Sequence, residues 1–327
     1  MTDPPVPPYP LPGQLKNRPA TGLDLAATAD QLFVSYAQNG EDVLLWRVLG
    51  SVEAGFYIDA GACHPVTDSV TQAFYERGWR GINVEPVPEA ATAFPPARPR
   101  DVNLRVALSD RPGTLPFYEV EGTGLSTLSA ESAAHQRRLG RRVLEHEVEV
   151  TTLAEVCRQH APPVVHFLKV DVEGLEESVL RGADFQACQP WLILVEATVP
   201  NSTISTHRTW EPILTRAGYE FLYFDGLNRY YASASKAAAF RPHFQTPANP
   251  MDCFQTHREQ STQAALEQAR RQQRKLAQTL EKTQARLAEL TAFRKALLQH
   301  HRVPAPAPRA LRLGLKLARL LRKLGLG

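Results

Sequence analysis

The sequence predicts an α/β protein built on a parallel, doubly wound sheet, followed by a coiled-coil helix and then a basic amphipathic helix. Three observations predict this. Short apolar runs bounded by glycine alternate with stretches of helical periodicity between about residues 24 and 232, the pattern of strands joined by crossover helices. Four of the runs end in carboxylates, at Asp59, Glu85, Asp171 with Glu173, and Glu196. Beyond about residue 250 the apolar residues recur instead at the 3-4 spacing of a heptad, which belongs to helices that pair along a seam.

Taken in order, residues 1–23 open with six prolines in the first twelve positions and predict an extended, disordered leader. A domain over 24–250 follows. Its leading helix is expected over 24–50, where Val43, Leu44, Leu45, Val48 and Leu49 recur at helical spacing. Strands are expected at 56–60 and 81–85, with a helix over 66–78 between them closed by Gly78. A weak helix at 87–97 precedes a third strand at 102–108, and further strands at 117–120 and 148–150 flank a polar insert over 121–146. Then come a helix at 153–160, a buried strand at 164–172, a helix at 174–182, a buried strand at 191–196, a helix at 208–217 and strands at 219–224 and 229–232.

The chain has 327 residues and a net charge of only +3, but the charge is divided. From His257 onward there are 16 Lys/Arg and 4 Asp/Glu, a net of +12, which leaves −9 for residues 1–256. An acidic globular part therefore carries a basic tail. Cys63, Cys157, Cys188 and Cys253 are widely spaced and form no CxxC pair, which argues against a zinc ribbon or a disulfide framework. The N-terminal stretch has no apolar signal core, and no stretch approaches the roughly 20 apolar residues of a membrane span. A cytoplasmic protein is expected.

The tail divides at 301–308, which is rich in proline and alanine. Before it, within 257–300, Leu266, Ala269, Gln273, Leu276, Leu280, Thr283, Leu287, Leu290, Arg294 and Leu297 hold one unbroken seam. Its flanks (Arg270, Arg271, Gln272, Arg274, Lys275) are too polar to bury in a globule, so a homo-oligomer through a coiled coil is expected. After the break, 309–327 places Leu313, Leu317, Leu320, Leu321 and Leu324 on one helical face with Arg312, Lys316, Arg319 and Lys323 beside it. That is the pattern of a helix lying on an anionic membrane surface; a partner helix is the alternative. Aromatic residues for base stacking are missing, so nucleic acid is not expected.

Open parallel sheets bind ligands at the carboxyl ends of their strands, so the four acidic strand ends converge on one crevice. The first turn, Asp59-Ala60-Gly61-Ala62, continues with Cys63-His64-Pro65 where a pyrophosphate loop would carry more glycines. This favours a nucleoside without bridging phosphates over a nicotinamide dinucleotide. Gly61 allows close approach to the backbone. Glu85, at the end of the second strand, suits both hydroxyls of a ribose. In 168–174, alternation sends Lys169, Asp171 and Glu173 to one side, and charges at a buried strand end need partners or a task.

The series Ser35-Tyr36-Ala37-Gln38-Asn39-Gly40-Glu41-Asp42, Tyr57-Ile58-Asp59-Ala60-Gly61-Ala62, Asn83-Val84-Glu85-Pro86, Val106-Ala107-Leu108-Ser109-Asp110, the block 168–174 with Glu176 and Leu180-Arg181-Gly182, and Val195-Glu196 resembles the FkbM family of methyltransferases in order and spacing, over about residues 33–235. The resemblance implies a class I, Rossmann-like methyltransferase fold, S-adenosylmethionine as donor, and a hydroxyl acceptor on a sugar or glycan. It implies that Asp59 and Gly61 flank the methionine end of the cofactor and that Glu85 holds the ribose. Ala107, Ser109 and Asp110 would edge the adenine pocket, and Gln38 and Asp42 would reach in from the leading helix. Asp171, Glu173 and Glu196 would face the acceptor. His64-Pro65 departs from relatives that carry glycine there.

Moving a methyl group to a sugar hydroxyl needs alignment and a general base. Asp171 with Glu173 is the expected base, with Glu196 orienting the acceptor; His64 and His207 are lesser candidates. His207, in the loop after 199–202, and Ser126, in the glycine- and hydroxyl-rich stretch 122–128, are expected to touch substrate. A divalent metal bridging Asp171 and Glu196 is the less favoured arrangement. A scaffold that carries a degenerate domain and a coiled coil is the non-enzymatic alternative.

Overall fold

The computed structural model describes residues 32–199 and 202–300, together with positions 314, 316 and 319. The expected leader, the linker at 301–308 and, apart from those three positions, the amphipathic helix lie outside the described residues. The chain divides into two units, Met1–Gln260 and Ser261–Gly327.

The first unit is organised by a seven-stranded sheet. In spatial order its strands are β10 (Tyr219–Phe224), β11 (Asn228–Ser233), β9 (Leu192–Glu196), β8 (Phe167–Val170), β2 (Phe56–Ala60), β3 (Arg80–Val84) and β4 (Val102–Leu104). β9, β8, β2, β3 and β4 run parallel, and β8 and β9 are buried throughout, which their continuous apolar sequences require. The expected all-parallel sheet needs one correction: β11 is antiparallel to both of its neighbours. The cause is local. Asp225 accepts hydrogen bonds from the N–H groups of Leu227 and Asn228, and Gly226 has φ +101°, so the chain reverses tightly between β10 and β11.

Helices cover both sheet faces, because alternate strand residues point opposite ways. Ile58, Ile82, Leu168 and Ile193 pack with Val156, Val179 and Leu214 of α5 (Leu153–His160), α6 (Glu176–Arg181) and α7 (Glu211–Arg216). Tyr57, Phe167, Leu192 and Leu194 pack with Leu44 and Leu45 of α1 (Glu41–Leu49), Phe74 of α2 (Gln72–Glu76) and Phe240 of α8 (Ala234–Phe240). The chain leaves β2 for β3 and β4 on one side and returns through β8 to the other. The strand order thus reverses beside β2, which opens a crevice above its carboxyl end.

Several expected elements are shorter or divided. The described part of the leading segment is helical only from Glu41; Phe33–Ser35 forms strand β1, paired in parallel with β12 (Phe254–Thr256). Asp42 explains the delay, since its carboxylate accepts from the Ser35 hydroxyl and from the N–H groups of Tyr36 and Ala37, and these bonds compete with helical ones. The helix expected over 66–78 shrinks to α2, and the freed residues form a loop over 62–71. Arg98, fully buried at the end of α3 (Pro88–Ala97), donates to the Pro65 carbonyl, the Ser69 hydroxyl and the Tyr57 hydroxyl and so braces that loop. The strand expected over 102–108 is two strands. Val102–Leu104 joins the main sheet, while β5 (Ala107–Leu108) pairs with β7 (Val143–Thr151) in a small sheet that also holds β6 (Gly113–Val120). Ala107 turns away because it packs with Phe117, Val148 and Val150. The polar insert contains α4 (Ala130–Arg138), capped by Ser129.

A long helix, α9, starts at His257 and runs to His300, and it holds residues 261–300 of the second unit. From 258 to 299 every residue is exposed, including Leu266, Leu276, Leu280, Leu287, Leu290 and Leu297 of the heptad seam. Among the described residues no helix is long and apolar enough to cross a membrane.

Candidate active site

A cavity of about 650 Å³ opens where β2, β3, β8 and β9 end. Its construction starts at Gly61, which has φ +80°, a conformation only glycine adopts without strain. A Cβ there would stand 1.8 Å from the Asp171 carbonyl oxygen. The meeting of two protein turns by itself therefore requires a glycine here, and Gly61 also lines the cavity.

On the β3 side, Glu85 is buried and aims its carboxylate into the cavity. One oxygen accepts from the Cys63 N–H and the other from the Val87 N–H, each at 2.8 Å. These bonds fix the carboxylate and leave each oxygen a further lone pair. Burial raises its pKa. Val84, Val87, Ala107, Leu108 and Phe117 add an apolar wall beside it. Burial pushes the Cys63 thiol up to about 11, so it stays protonated at neutral pH.

On the β8 and β9 side, Asp171, Glu173 and Glu196 bring carboxylate oxygens within 4.8 Å of one another. Glu173 has φ +57° and Gly174 φ +98°. This left-handed pair is held by Glu176, which accepts from the Val172 and Gly174 N–H groups, and by Thr127, whose hydroxyl donates to the Glu173 carbonyl. Burial, then the charges of Asp171 and Glu176, push Glu173 up to about 9. Burial, then Asp171, Glu173 and Glu176, push Glu196 up to about 11. Glu173 and Glu196 therefore hold their protons at neutral pH.

Lys169 stands between the two sides. Its ammonium donates to the Gly61 carbonyl at 2.9 Å and lies 3.3 Å from one oxygen each of Asp59 and Asp171. Burial alone would lower its pKa, but Asp171 and Asp59 outweigh it and raise it, so the lysine is charged. Asp59 is buried at the cavity wall. One of its oxygens accepts from Thr71; the other meets only the Lys169 ammonium, in an ion-pair contact without hydrogen-bond geometry.

Of the residues singled out in the sequence, Gln38, Asp59, Gly61, Glu85, Ala107, Ser126, Asp171, Glu173 and Glu196 line this cavity. Asp42, Ser109, Asp110 and His207 do not. Asp42 is consumed by the turn before α1. Ser109 is bonded through its backbone to Thr151, and Asp110 lies toward Arg111 at the surface. The His207 ring bonds Ser205 and faces Glu211 of α7. His64 accepts from the Val66 and Thr67 N–H groups and shapes only its own turn. Lys169, Cys63, Asp68, Thr198 and Thr203 line the cavity without having been picked out as site residues. For Lys169 the signal was present, two positions before Asp171 on the same strand face.

Residues 59–221 match the methyltransferase FkbM domain. No curated protein matches the chain. The matched span contains every carboxylate that lines the cavity, and through it the chain belongs to the FkbM methyltransferase family.

Proposed function

We propose that this protein transfers a methyl group from S-adenosylmethionine to a hydroxyl of a sugar or glycan, on a class I, Rossmann-like sheet. One observation carries the reading: a single cavity joins a fixed, buried carboxylate beside an apolar wall to a cluster of three closely spaced carboxyls. The first half suits a nucleoside. Glu85 has lone pairs for two ribose hydroxyls, the apolar wall suits adenine, and the under-bonded oxygen of Asp59 suits a cationic ligand end. The donor, when bound, supplies an electrophilic methyl group on a sulfonium sulfur.

In the second half, Asp171 receives the acceptor proton, since Glu173 and Glu196 already hold protons at neutral pH and act as orienting donors. Thr198, Ser202 and Thr203 add hydroxyl groups along the same wall, as a polyol acceptor requires. A divalent ion on the carboxyl cluster is disfavoured, because it would stand against the Lys169 ammonium beside Asp171.

Glu85→Ala is expected to raise the Kd for S-adenosylmethionine roughly 10²- to 10⁴-fold, since it removes two hydrogen bonds to a charged group that contribute about 1.5–3 kcal/mol each. Isothermal calorimetry reads this, and an unchanged Kd removes the ribose assignment.

The exposed seam of α9 supports self-association, and the basic C-terminal segment supports contact with anionic membrane. In sedimentation velocity the full chain is expected to run as an oligomer, and Leu280→Lys with Leu287→Lys as a monomer. Monomeric wild-type protein would end the coiled-coil reading. Deleting 303–327 is expected to release the protein from phosphatidylserine vesicles, and retained binding would contradict the membrane role.

A further inference from the structure

We propose that Lys169 is a positioning residue that couples the two halves of the cavity, by dividing one ammonium group between Asp59 and Asp171. What each half binds rests on the function proposed above; the coupling itself rests on geometry alone.

The strands place the lysine for this. β2 and β8 are parallel neighbours with Asp59 and Lys169 as register partners, so both side chains rise from the same level of the sheet. The lysine then reaches past the strand ends to the Gly61 carbonyl and to Asp171. An ammonium has three donors, and here three acceptors surround it: Gly61 O at 2.9 Å and one oxygen each of Asp59 and Asp171 at 3.3 Å. Only the Gly61 contact has hydrogen-bond geometry; the two carboxylates hold the ammonium as ion pairs, so it links the two halves through Asp59 and Asp171.

Asp59 and Asp171 therefore compete for one buried cation in a region where charges interact strongly. The other groups that face this site are Glu85 just after β3, Cys63 in the loop after β2, Thr71 before α2, Glu173 and Glu176 beyond β8, and Glu196 at the end of β9; Arg98 acts on Asp59 from behind the loop. Arg98 is committed to Pro65, Ser69 and Tyr57 and paired with Asp101, so it does not replace the lysine. When a cationic ligand satisfies Asp59, the ammonium leans on Asp171 and favours its charged form. The acceptor side is thus made ready by occupancy of the cofactor side, which orders binding with the cofactor first.

The test uses full-length protein labelled with ¹³C at aspartate carboxyls and followed by NMR against pH. In ligand-free Lys169→Met, the Asp59 and Asp171 carboxyl signals are both expected to move to higher pH than in wild type; movement of only one overturns the shared clamp. In ligand-free Asp59→Asn, Asp171 is expected to titrate lower than in wild type. Asp59→Asn with Lys169→Met is expected to match Lys169→Met alone at Asp171. An effect of Asp59→Asn that persists without the lysine overturns the coupling. The double variant removes the buried charge together with its partner and so stays foldable if Lys169→Met does not; Asp171 in it, compared with Asp59→Asn, then reads the same coupling. None of these samples contains cofactor, so the result is separate from the donor assignment. Adding S-adenosylmethionine to wild type is then expected to reproduce the downward shift. Calorimetric binding without that shift overturns the binding order, whereas no binding at all, with the ligand-free shifts in place, overturns the donor reading and leaves the clamp.

Discussion

Gly61→Ala is expected to destabilise the protein by about 2–5 kcal/mol, from two separable causes. A residue with a Cβ at φ +80° bears about 1–2 kcal/mol of strain. The Cβ would also stand 1.8 Å from the Asp171 carbonyl oxygen, a backbone atom that no rotamer change removes. Prising apart two packed turns costs about 1–3 kcal/mol more. Thermal unfolding measures the sum, at roughly 2–4 °C per kcal/mol for a domain of this size. Gly122→Ala is the control, since Gly122 has φ +69° but nothing within 4 Å of its would-be Cβ; it carries the strain without the clash. Because the clash moves Asp171 itself, Gly61→Ala is expected to lose methyl transfer even at temperatures where it stays folded. Equal Tm values for the two variants would show that the turns yield, and that Gly61 is not the pin between the cavity halves.

Asp171→Asn is expected to lower methyl transfer roughly 10²–10⁴-fold, the usual contribution of a general base, while the protein still binds S-adenosylmethionine. Asparagine fills the same space but takes no proton, and Lys169 is left with Asp59 alone. The neighbouring carboxyls give the contrast. Glu196 is pushed up to about 11 and so is already uncharged at neutral pH. Glutamine is close to it in shape and charge, and Glu196→Gln is expected to retain far more activity than Asp171→Asn. Transfer of a radiolabelled methyl group to an acceptor found by screening reads both. If Glu196→Gln were the more damaged variant, the roles assigned within the cluster would be reversed.

Much of this site was readable from the chain because its parts are strand ends. The apolar runs that became β2, β3, β8 and β9 are unmistakable by length and composition, and each delivers its acid to the same edge. What stayed hidden depended on non-local or atypical backbone. Cys63 and Asp68 adopt left-handed conformations without being glycine, at φ 54° and 55°, so the loop they shape read as the start of a helix. The Phe33–Phe254 pairing joins two short strands from opposite ends of the unit, and neither has a pattern of its own. The run 102–108 is uniformly strand-like, and only the packing of Ala107 on Phe117 and Val150 shows that it changes sheets. Asp42 looked like a cavity residue because a carboxylate that caps a turn and one that meets a ligand are the same letter; the four donors within its reach decide the matter.

The central claim is that the cavity holds S-adenosylmethionine, and calorimetric titration of the purified full-length protein tests it most directly, with NAD as the control. Micromolar binding of S-adenosylmethionine and none of NAD is the expected result. Heat from neither would contradict the account, and would leave a family member whose domain serves to carry α9 rather than to move a methyl group.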